Sequence, residues 1–566
     1  MNSATYKNEK HKNRMKIPSK SMNGGHILAN ALVRQGVDIA FGVPGESFLP
    51  LLNGLVDHPD FRFITCRQEG GAAYMAEAYA KLTGHPGVLM VTRGPGASNA
   101  MIGMHTAYQD ATPMVLLVGQ VGTDMVERDA FQEIDYRRMY SECAKWVGSI
   151  DRVDRIDEFV SHAFHVAQAG RKGPVVLALP EDMLYLPGQE NPVKPAHIIQ
   201  PGLDVNQFNL AMKIFTSAHN PMVIAGGGNW NSKACEDLRR WANREGVPVA
   251  TSFRAQDVID NLDSAFAGDL GIGANPSLVK RIGDADVLLV IGERLGEMTT
   301  AGYTLFSVPQ AKNTLIHVLS GSEDLGRVYR PDFAINCSPE NFCEALKNIK
   351  MGDQYDRAAM NAAHADYLAF ASPVTVPGDL QLAHIMSSLP NSIPRDAIVT
   401  NGAGNFATWV HRFYPYGPYK TQLAPANGSM GYGLPAAIAA KITNPEKVVI
   451  AVCGDGDFMM NCQELATAAR YDAFPIILVV NNNMLGTIRM HQEREFKSRV
   501  IATGLTNPDF VKFADSFGMP GYRVTKTEEF APVFARALAS KKGALIELVL
   551  DQDVISPSKL LSQLGQ

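Results

Sequence analysis

Two short apolar runs, residues 448–453 and 475–480, each end in a turn of small polar residues. Gly454-Asp455-Gly456 follows the first and Asn481-Asn482-Asn483 the second. Runs that are continuous, short and β-branched are the pattern of strands buried on both faces of a parallel sheet. Parallel neighbours need a crossover, and residues 461–471 between them read as a helix by composition, so the stretch is one strand–helix–strand unit. That unit commits the chain to an open α/β fold. It also places Asp455 and Asn482 at the carboxyl ends of adjacent strands, where such sheets bind ligands. A carboxylate and an amide oxygen 27 positions apart suit a hard divalent cation that also holds phosphate oxygens, as magnesium does. The glycines let the backbone come close to phosphate.

The stretch GDGDFMMNCQELATAARYDAFPIILVVNNNMLGTIR resembles the cofactor motif of thiamine-diphosphate enzymes, which opens with GDG and closes with NN. The resemblance implies that Asp455, Asn482 and the backbone carbonyl of Met484 bind Mg2+, which in turn holds the diphosphate. It also implies that Gly454, Gly456, Asp457, Leu485 and Gly486 contact the cofactor. Asn427-Gly428-Ser429-Met430-Gly431-Tyr432-Gly433-Leu434-Pro435 precedes an alanine-rich helix and resembles the family's GxMGxGLP stretch. There the Gly428 carbonyl is expected to accept from the cofactor's amino group, and Met430 to bend the cofactor. Gly404 and Asn405, in Asn401-Gly402-Ala403-Gly404-Asn405, are expected diphosphate contacts.

A second constellation lies far away in sequence. Residues 61–66 read as a strand, and Arg67-Gln68-Glu69-Gly70-Gly71 opens a helix running to about Leu82, which puts Glu69 in a helix first turn. On its own an acid there complements the helix dipole, worth about 0.3–1 kcal/mol. But RQEGGAAYMAEAYAKLTG followed by GVLMVTRGPGASNAMIGMHTAYQDATPMVLLVGQV resembles the pyrimidine-binding domain of the acetolactate synthase branch. The resemblance implies that Glu69 hydrogen-bonds the aminopyrimidine ring, with Pro44, Pro95 and Asn99 as further cofactor contacts. A carboxylic acid there shifts the cofactor's amino group toward a basic imino form, and burial among apolar side chains is expected to raise the acid's pKa so that it can share its proton.

On the substrate side, Gln120 ends an apolar strand and Ala130-Phe131-Gln132-Glu133 resembles the family's AFQE segment, so Gln120, Phe131 and Gln132 are expected to flank a donor keto acid. Arg294, in Ile291-Gly292-Glu293-Arg294, matches a family arginine that meets the second substrate's carboxylate, or else it makes a salt bridge between domains. Two departures bear on the acceptor: Pro180-Glu181-Asp182 stands where Pro-Lys-Asp is usual, and His491 where a tryptophan is usual. The paired histidines of the pyruvate decarboxylase branch are absent, and Glu69 argues against glyoxylate carboligases. The expected function is a thiamine-diphosphate-dependent, acetolactate synthase-like carboligase that decarboxylates a 2-keto acid and passes the acyl carbanion to a second carbonyl. The alternative is a thiamine-diphosphate-dependent lyase or decarboxylase acting on a 2-keto acid or a 2-hydroxyacyl compound.

The 566 residues exceed one core, and two linkers divide them. Residues 186–202 carry four prolines, and a second break spans residues 350–379, ending in Ser-Pro-Val-Thr-Val-Pro-Gly. The expected division is a disordered basic tail over 1–21, a pyrimidine-binding domain over 22–187, a central domain over 203–350 and a diphosphate- and magnesium-binding domain over 379–566. All three domains are expected to be doubly wound α/β units. In the central one, Gly226-Gly227-Gly228 lacks the GxGxxG spacing and reads as a tight turn. FAD-holding relatives share an MHG stretch where Leu270-Gly271-Ile272-Gly273 stands, which counts against FAD or an ADP moiety in that domain. A net charge of −5 gives no reason to expect nucleic acid or an anionic membrane. No apolar run reaches the roughly 18 residues of a membrane span. Seven scattered cysteines without a CxxC pair, and no apolar signal segment, fit reduced thiols in the cytoplasm. Glu69 and Asp455 fall on different domains, so the resemblance implies a homodimer or homotetramer whose sites are shared between subunits.

Overall fold

The computed structural model describes residues 22–195 and 197–564; the segment 1–21, read above as a disordered tail, lies outside the described residues. Three six-stranded parallel sheets follow one another along the chain, as the alternation of apolar runs and helices predicts. Counting each sheet's strands along the chain, the first and the last share the spatial order 2-1-3-4-6-5, and the central sheet is wound 3-2-1-4-5-6.

In the last sheet the third and fourth strands are Val449–Gly454 and Ile476–Asn481, paired so that Gly454 faces Val480. Every residue of both is buried, because helices cover the two faces of a parallel sheet. The acidic turn is itself helical: Asp455–Met459 forms a short helix directly off the strand. The single helix expected over 461–471 is instead a 3-10 turn, Cys462–Glu464, followed by the helix Leu465–Tyr471. Asn461 itself stays outside both pieces: its Nδ2 donates to the Gly431 carbonyl at 2.8 Å and its φ is −136°. A short amide side chain that bonds elsewhere draws the backbone away from helical geometry.

The first and last domains pack through two helices made largely of small residues, Glu69–Thr83 and Gly433–Thr443. Tyr74 and Ala76 on one side and Ala436 and Ala439 on the other belong to a single apolar cluster. The central sheet has its own core. The helix Ala358–Phe370, inside the segment read above as the second break, lies against that sheet's edge strand Phe266–Asp269. The rings of Phe266 and Tyr367 meet at 4.7 Å, and His364 hydrogen-bonds the Phe266 carbonyl at 2.8 Å. At the first linker, Pro187–Gly188 pairs antiparallel with Met22–Asn23, tying the start of the described chain to the end of its first domain. Gly227 takes φ +65° in a turn where an added Cβ would come within 2.2 Å of the Gly292 carbonyl; the next helix begins only at Ser232. Among the described residues, no helix is long and apolar enough to cross a membrane.

Candidate active site

A cavity of about 250 Å³ opens at the carboxyl edge of the last sheet. All the last-domain residues expected to meet a cofactor line it: Gly404, Asn405, Gly428, Met430, Gly454, Asp455, Gly456, Asp457, Asn482, Met484, Leu485 and Gly486. They come from four separate loops that follow strands or precede helices, and the strand order brings these loops to one edge of the sheet.

Asp455 is only 3% exposed. Its Oδ2 accepts from Asn507 Nδ2 at 2.8 Å and its Oδ1 from the Gly456 amide at 3.0 Å. Among the described residues, no lysine, arginine or histidine forms an ion pair with it, and burial pushes its pKa up. A buried carboxylate without a cation is costly, and a bound cation would relieve that cost. Nearby, Asn482 Oδ1 accepts only a long bond, 3.3 Å from the Met484 amide. The donors here are thus a carboxylate, an amide and a backbone carbonyl, an all-oxygen set that fits magnesium. Asn507 escaped the sequence reading. Its amide also reaches Asn481 Oδ1 at 3.1 Å and Asn483 Oδ1 at 3.2 Å. The segment before it clamps the Met484 loop through Leu485 N to Thr503 O and Leu505 N to Asn483 O, both 2.8 Å.

Two glycines matter here by their geometry. Gly428 takes φ +69°, a left-handed turn that would strain any other residue. An added Cβ at Gly454 would lie 2.9 Å from the Phe406 ring. Asp457 lines the cavity and also braces it. Its Oδ1 accepts from the Gly431 amide at 2.7 Å and the Ala403 amide at 3.2 Å. It thereby ties two cavity loops together, and burial raises its pKa to about 7.

The first-domain residues form a separate group, and none of them lines the cavity of the same chain. Glu69 heads its helix, as expected, and accepts from Asn99 Nδ2 at 2.9 Å. It is half-buried in the single chain, where among the described residues this face of the domain stays open; neighbouring Ile102 is 44% exposed. Pro95 sits in the first turn of the helix Gly94–Gln109, beside Asn99, and Pro44 is exposed in the turn after the strand Ile39–Gly42. Phe131 is 73% exposed. Gln132 takes φ +65° and its carbonyl accepts from the Gly94 amide at 2.9 Å. Gln120 ends its strand, but its Nε2 is committed to the Ile134 carbonyl at 2.8 Å and its Oε1 to the Val121 amide at 3.0 Å. Gln120 therefore fixes the loop that carries Phe131 and Gln132.

Three further placements bear on substrate. Glu181, the acid that stands where a lysine is usual, is ion-paired with Arg93, so its charge is largely cancelled. Arg294 spans the central and first domains: its guanidinium donates to the carbonyl and the Oε1 of Gln109, both at 3.3 Å, and finds no carboxylate among the described residues. It meets the last residue of the helix Gly94–Gln109, whereas Glu69 meets Asn99 near that helix's start. Ten residues at about 1.5 Å each separate the two points by roughly 15 Å, so Arg294 and Glu69 of one chain do not share a site. His491 is exposed on the helix Gly486–Glu495 and bonded to Arg494 at 2.7 Å.

One buried acid connects the two groups. Glu464, 0% exposed, accepts from the Gln68 amide at 3.0 Å and the Arg67 amide at 3.1 Å. The last domain therefore holds the turn immediately before Glu69. Its position after a Cys-Gln pair gave no sequence signal of this contact, which spans almost four hundred residues.

Comparison with known proteins agrees along the chain. The family description "Thiamine pyrophosphate enzyme, N-terminal TPP binding domain" matches residues 22–139, the corresponding central domain matches 208–346 and the C-terminal TPP binding domain matches 402–548. The mitochondrial acetolactate synthase of Schizosaccharomyces pombe is 30% identical over 558 residues, covering 94% of this chain and 83% of that protein. The probable acetolactate synthase large subunit of Methanocaldococcus jannaschii is 31% identical, with 94% and 92% covered. The large subunit of acetolactate synthase isozyme 2 of Escherichia coli is 29% identical, with 94% and 96% covered.

Proposed function

Because the chain belongs to the thiamine pyrophosphate enzymes, in their acetolactate synthase-like group, we propose that it is a carboligase. It decarboxylates a small 2-keto acid and transfers the acyl unit to a second carbonyl compound. The observation that carries this reading is the cavity of the last domain, where Asp455 is buried without a cation while Glu69 lies outside. When bound, thiamine diphosphate supplies the electron sink on which a keto acid can lose carbon dioxide. The protein's part is position and protons. Asp455, Asn482 and the Met484 carbonyl hold magnesium, and Gly454, Gly456, Asn405 and Gly486 admit the diphosphate. The Gly428 carbonyl and Met430 orient the pyrimidine end, and Glu69 holds a proton against the ring.

Since the cavity has no first-domain residue and Glu69 stands on an open face, the site is completed by a second chain, Glu69 of one meeting the cavity of the other. Phe131 and Gln132 then flank the donor. Arg294, a guanidinium without a carboxylate partner among the described residues, is available to an acceptor's carboxylate as a charge-assisted pair. The pairing of Glu181 with Arg93 removes the repulsion that an isolated anion would impose on an acidic acceptor. Mass spectrometry of the products from pyruvate, with and without a second keto acid or an aldehyde, tests the reading. A carbon-dioxide-releasing reaction that yields an acetohydroxy acid supports it. No release of carbon dioxide from pyruvate or its near homologues overturns it in favour of a lyase acting on another substrate.

A further inference from the structure

The loop 425–431 carries the Gly428 carbonyl and Met430, yet much of what holds it comes from the first domain of its own chain. Glu77 is fully buried, 0% exposed. Its Oε2 accepts from the Tyr432 hydroxyl at 2.6 Å and its Oε1 from Thr112 Oγ1 at 2.7 Å. Lys81, one helical turn on, lies 3.1 Å from Glu77, bonds to Asp110 and donates to the Ala424 carbonyl at 3.2 Å. Its ammonium also stands 5.4 Å from the centre of the Tyr432 ring. Asp110 Oδ1 in turn accepts from the Ala426 amide at 2.9 Å. Two acids and one lysine thus grip both stems of the loop, at 424–426 and at 432. The tip is gripped as well: Tyr74 donates to the Met430 carbonyl at 3.3 Å, and Asn427 Nδ2 donates to Thr106 Oγ1 at 3.1 Å.

The charges sit deep enough that the grip is costly to loosen. Burial raises the pKa of Glu77, whereas its two carboxylate neighbours hold Lys81 protonated. Removing the lysine would leave two acids sharing an interface with no cation, so one must take up a proton or the stems must separate. The helix Glu69–Thr83 also has two working sides. Tyr74 follows Glu69 by five positions, about 140° around a helix of 3.6 residues per turn, and Glu77 and Lys81 continue on Tyr74's side at i+3 and i+7.

We propose that Glu77, Lys81 and Asp110 are positioning residues for the cofactor loop. They set the direction of the Gly428 carbonyl and the height of Met430, so that the first domain serves the cavity of its own chain through this side of the helix, and the partner's cavity through Glu69. The inference rests on the reading of residues 425–431 as the loop that contacts the cofactor's pyrimidine end.

The test uses the whole protein with thiamine diphosphate and magnesium, and no substrate. Lys81→Met keeps the length of the side chain and removes its charge; Tyr432→Phe removes only the hydroxyl that meets Glu77. Two quantities are read: cofactor affinity by calorimetry, and the exchange rate of the thiazolium proton by acid quench from deuterated buffer. Lys81→Met is expected to slow exchange about 100-fold, the size of effect an ångström of misplacement produces, with affinity unchanged, and Tyr432→Phe to slow it less. Wild-type exchange in both variants overturns the proposal. So does a loss that appears wholly as weaker binding, with exchange per bound cofactor intact, because the network would then be merely structural. If Lys81→Met does not fold, Tyr432→Phe decides alone. Because no substrate is used, failure of the carboligase reading leaves both measurements standing.

Discussion

The first and last sheets are wound in the same order, yet they deliver opposite kinds of surface. In each, the third strand runs into a glycine-containing turn that opens a helix: Gly94-Pro95-Gly96 in the first domain, Gly454-Asp455-Gly456 in the last. In each, the fourth strand ends in an amide side chain, Gln120 or Asn481. The last domain's loops close around a cavity and bury a carboxylate that has no ion-pair partner among the described residues. The first domain's loops leave Glu69 half-buried and Phe131 exposed. Equivalent topology supplies equivalent positions; the residues on them decide whether a position closes into a cavity or stays on an open face.

The largest effect should come from breaking the closed half. Asp455→Ala is expected to abolish magnesium-dependent binding of thiamine diphosphate, a loss beyond the 10- to 100-fold typical of residues that only support a metal ligand. Chelation of magnesium from the wild type should have the same consequence. Unchanged affinity by calorimetry would mean that the cavity holds its ligand without a metal.

Breaking the open half should leave binding intact and slow chemistry. Glu69→Gln is expected to bind thiamine diphosphate as the wild type does and to exchange the thiazolium proton about 10²- to 10⁴-fold more slowly, the usual worth of a placed acid or base. A wild-type exchange rate would reduce Glu69 to a charge at a helix end.

Mixing the two variants joins the halves. With free reassortment half of the dimers are hybrids, and one of the two sites in each hybrid carries both native residues. About a quarter of wild-type activity should return if a site spans two subunits. A mixture as inactive as its parents, with subunit exchange verified, would place both halves in one chain.

The smallest effect concerns selectivity. Arg294→Ala should weaken carboligation to a keto-acid acceptor about tenfold or more, in line with the loss of a hydrogen bond to a charged group, while sparing carbon dioxide release from the donor. Equal losses in both reactions would assign Arg294 to the contact between the central and first domains that Gln109 already shows.

What the sequence determined by itself was local. Buried parallel strands announce themselves as short β-branched runs, and the glycine and asparagine turns after them mark strand ends, so three doubly wound sheets and the rim around Asp455 and Asn482 were legible from spacing. Local order can also be misread where a side chain bonds outside its element, as Asn461 does in staying out of the helical stretch that composition assigns to it. The contacts that only the tertiary structure decided are long-range and polar. Glu464 beneath the turn of Glu69, Asn507 against Asp455, Arg93 neutralising Glu181, and Lys81 gripping the loop at 424–426 all join residues that no periodicity relates. Hydrophobic pattern specifies which face of an element is buried. It does not specify which distant element will cover that face, and a charged or amide side chain acquires its role from that neighbour.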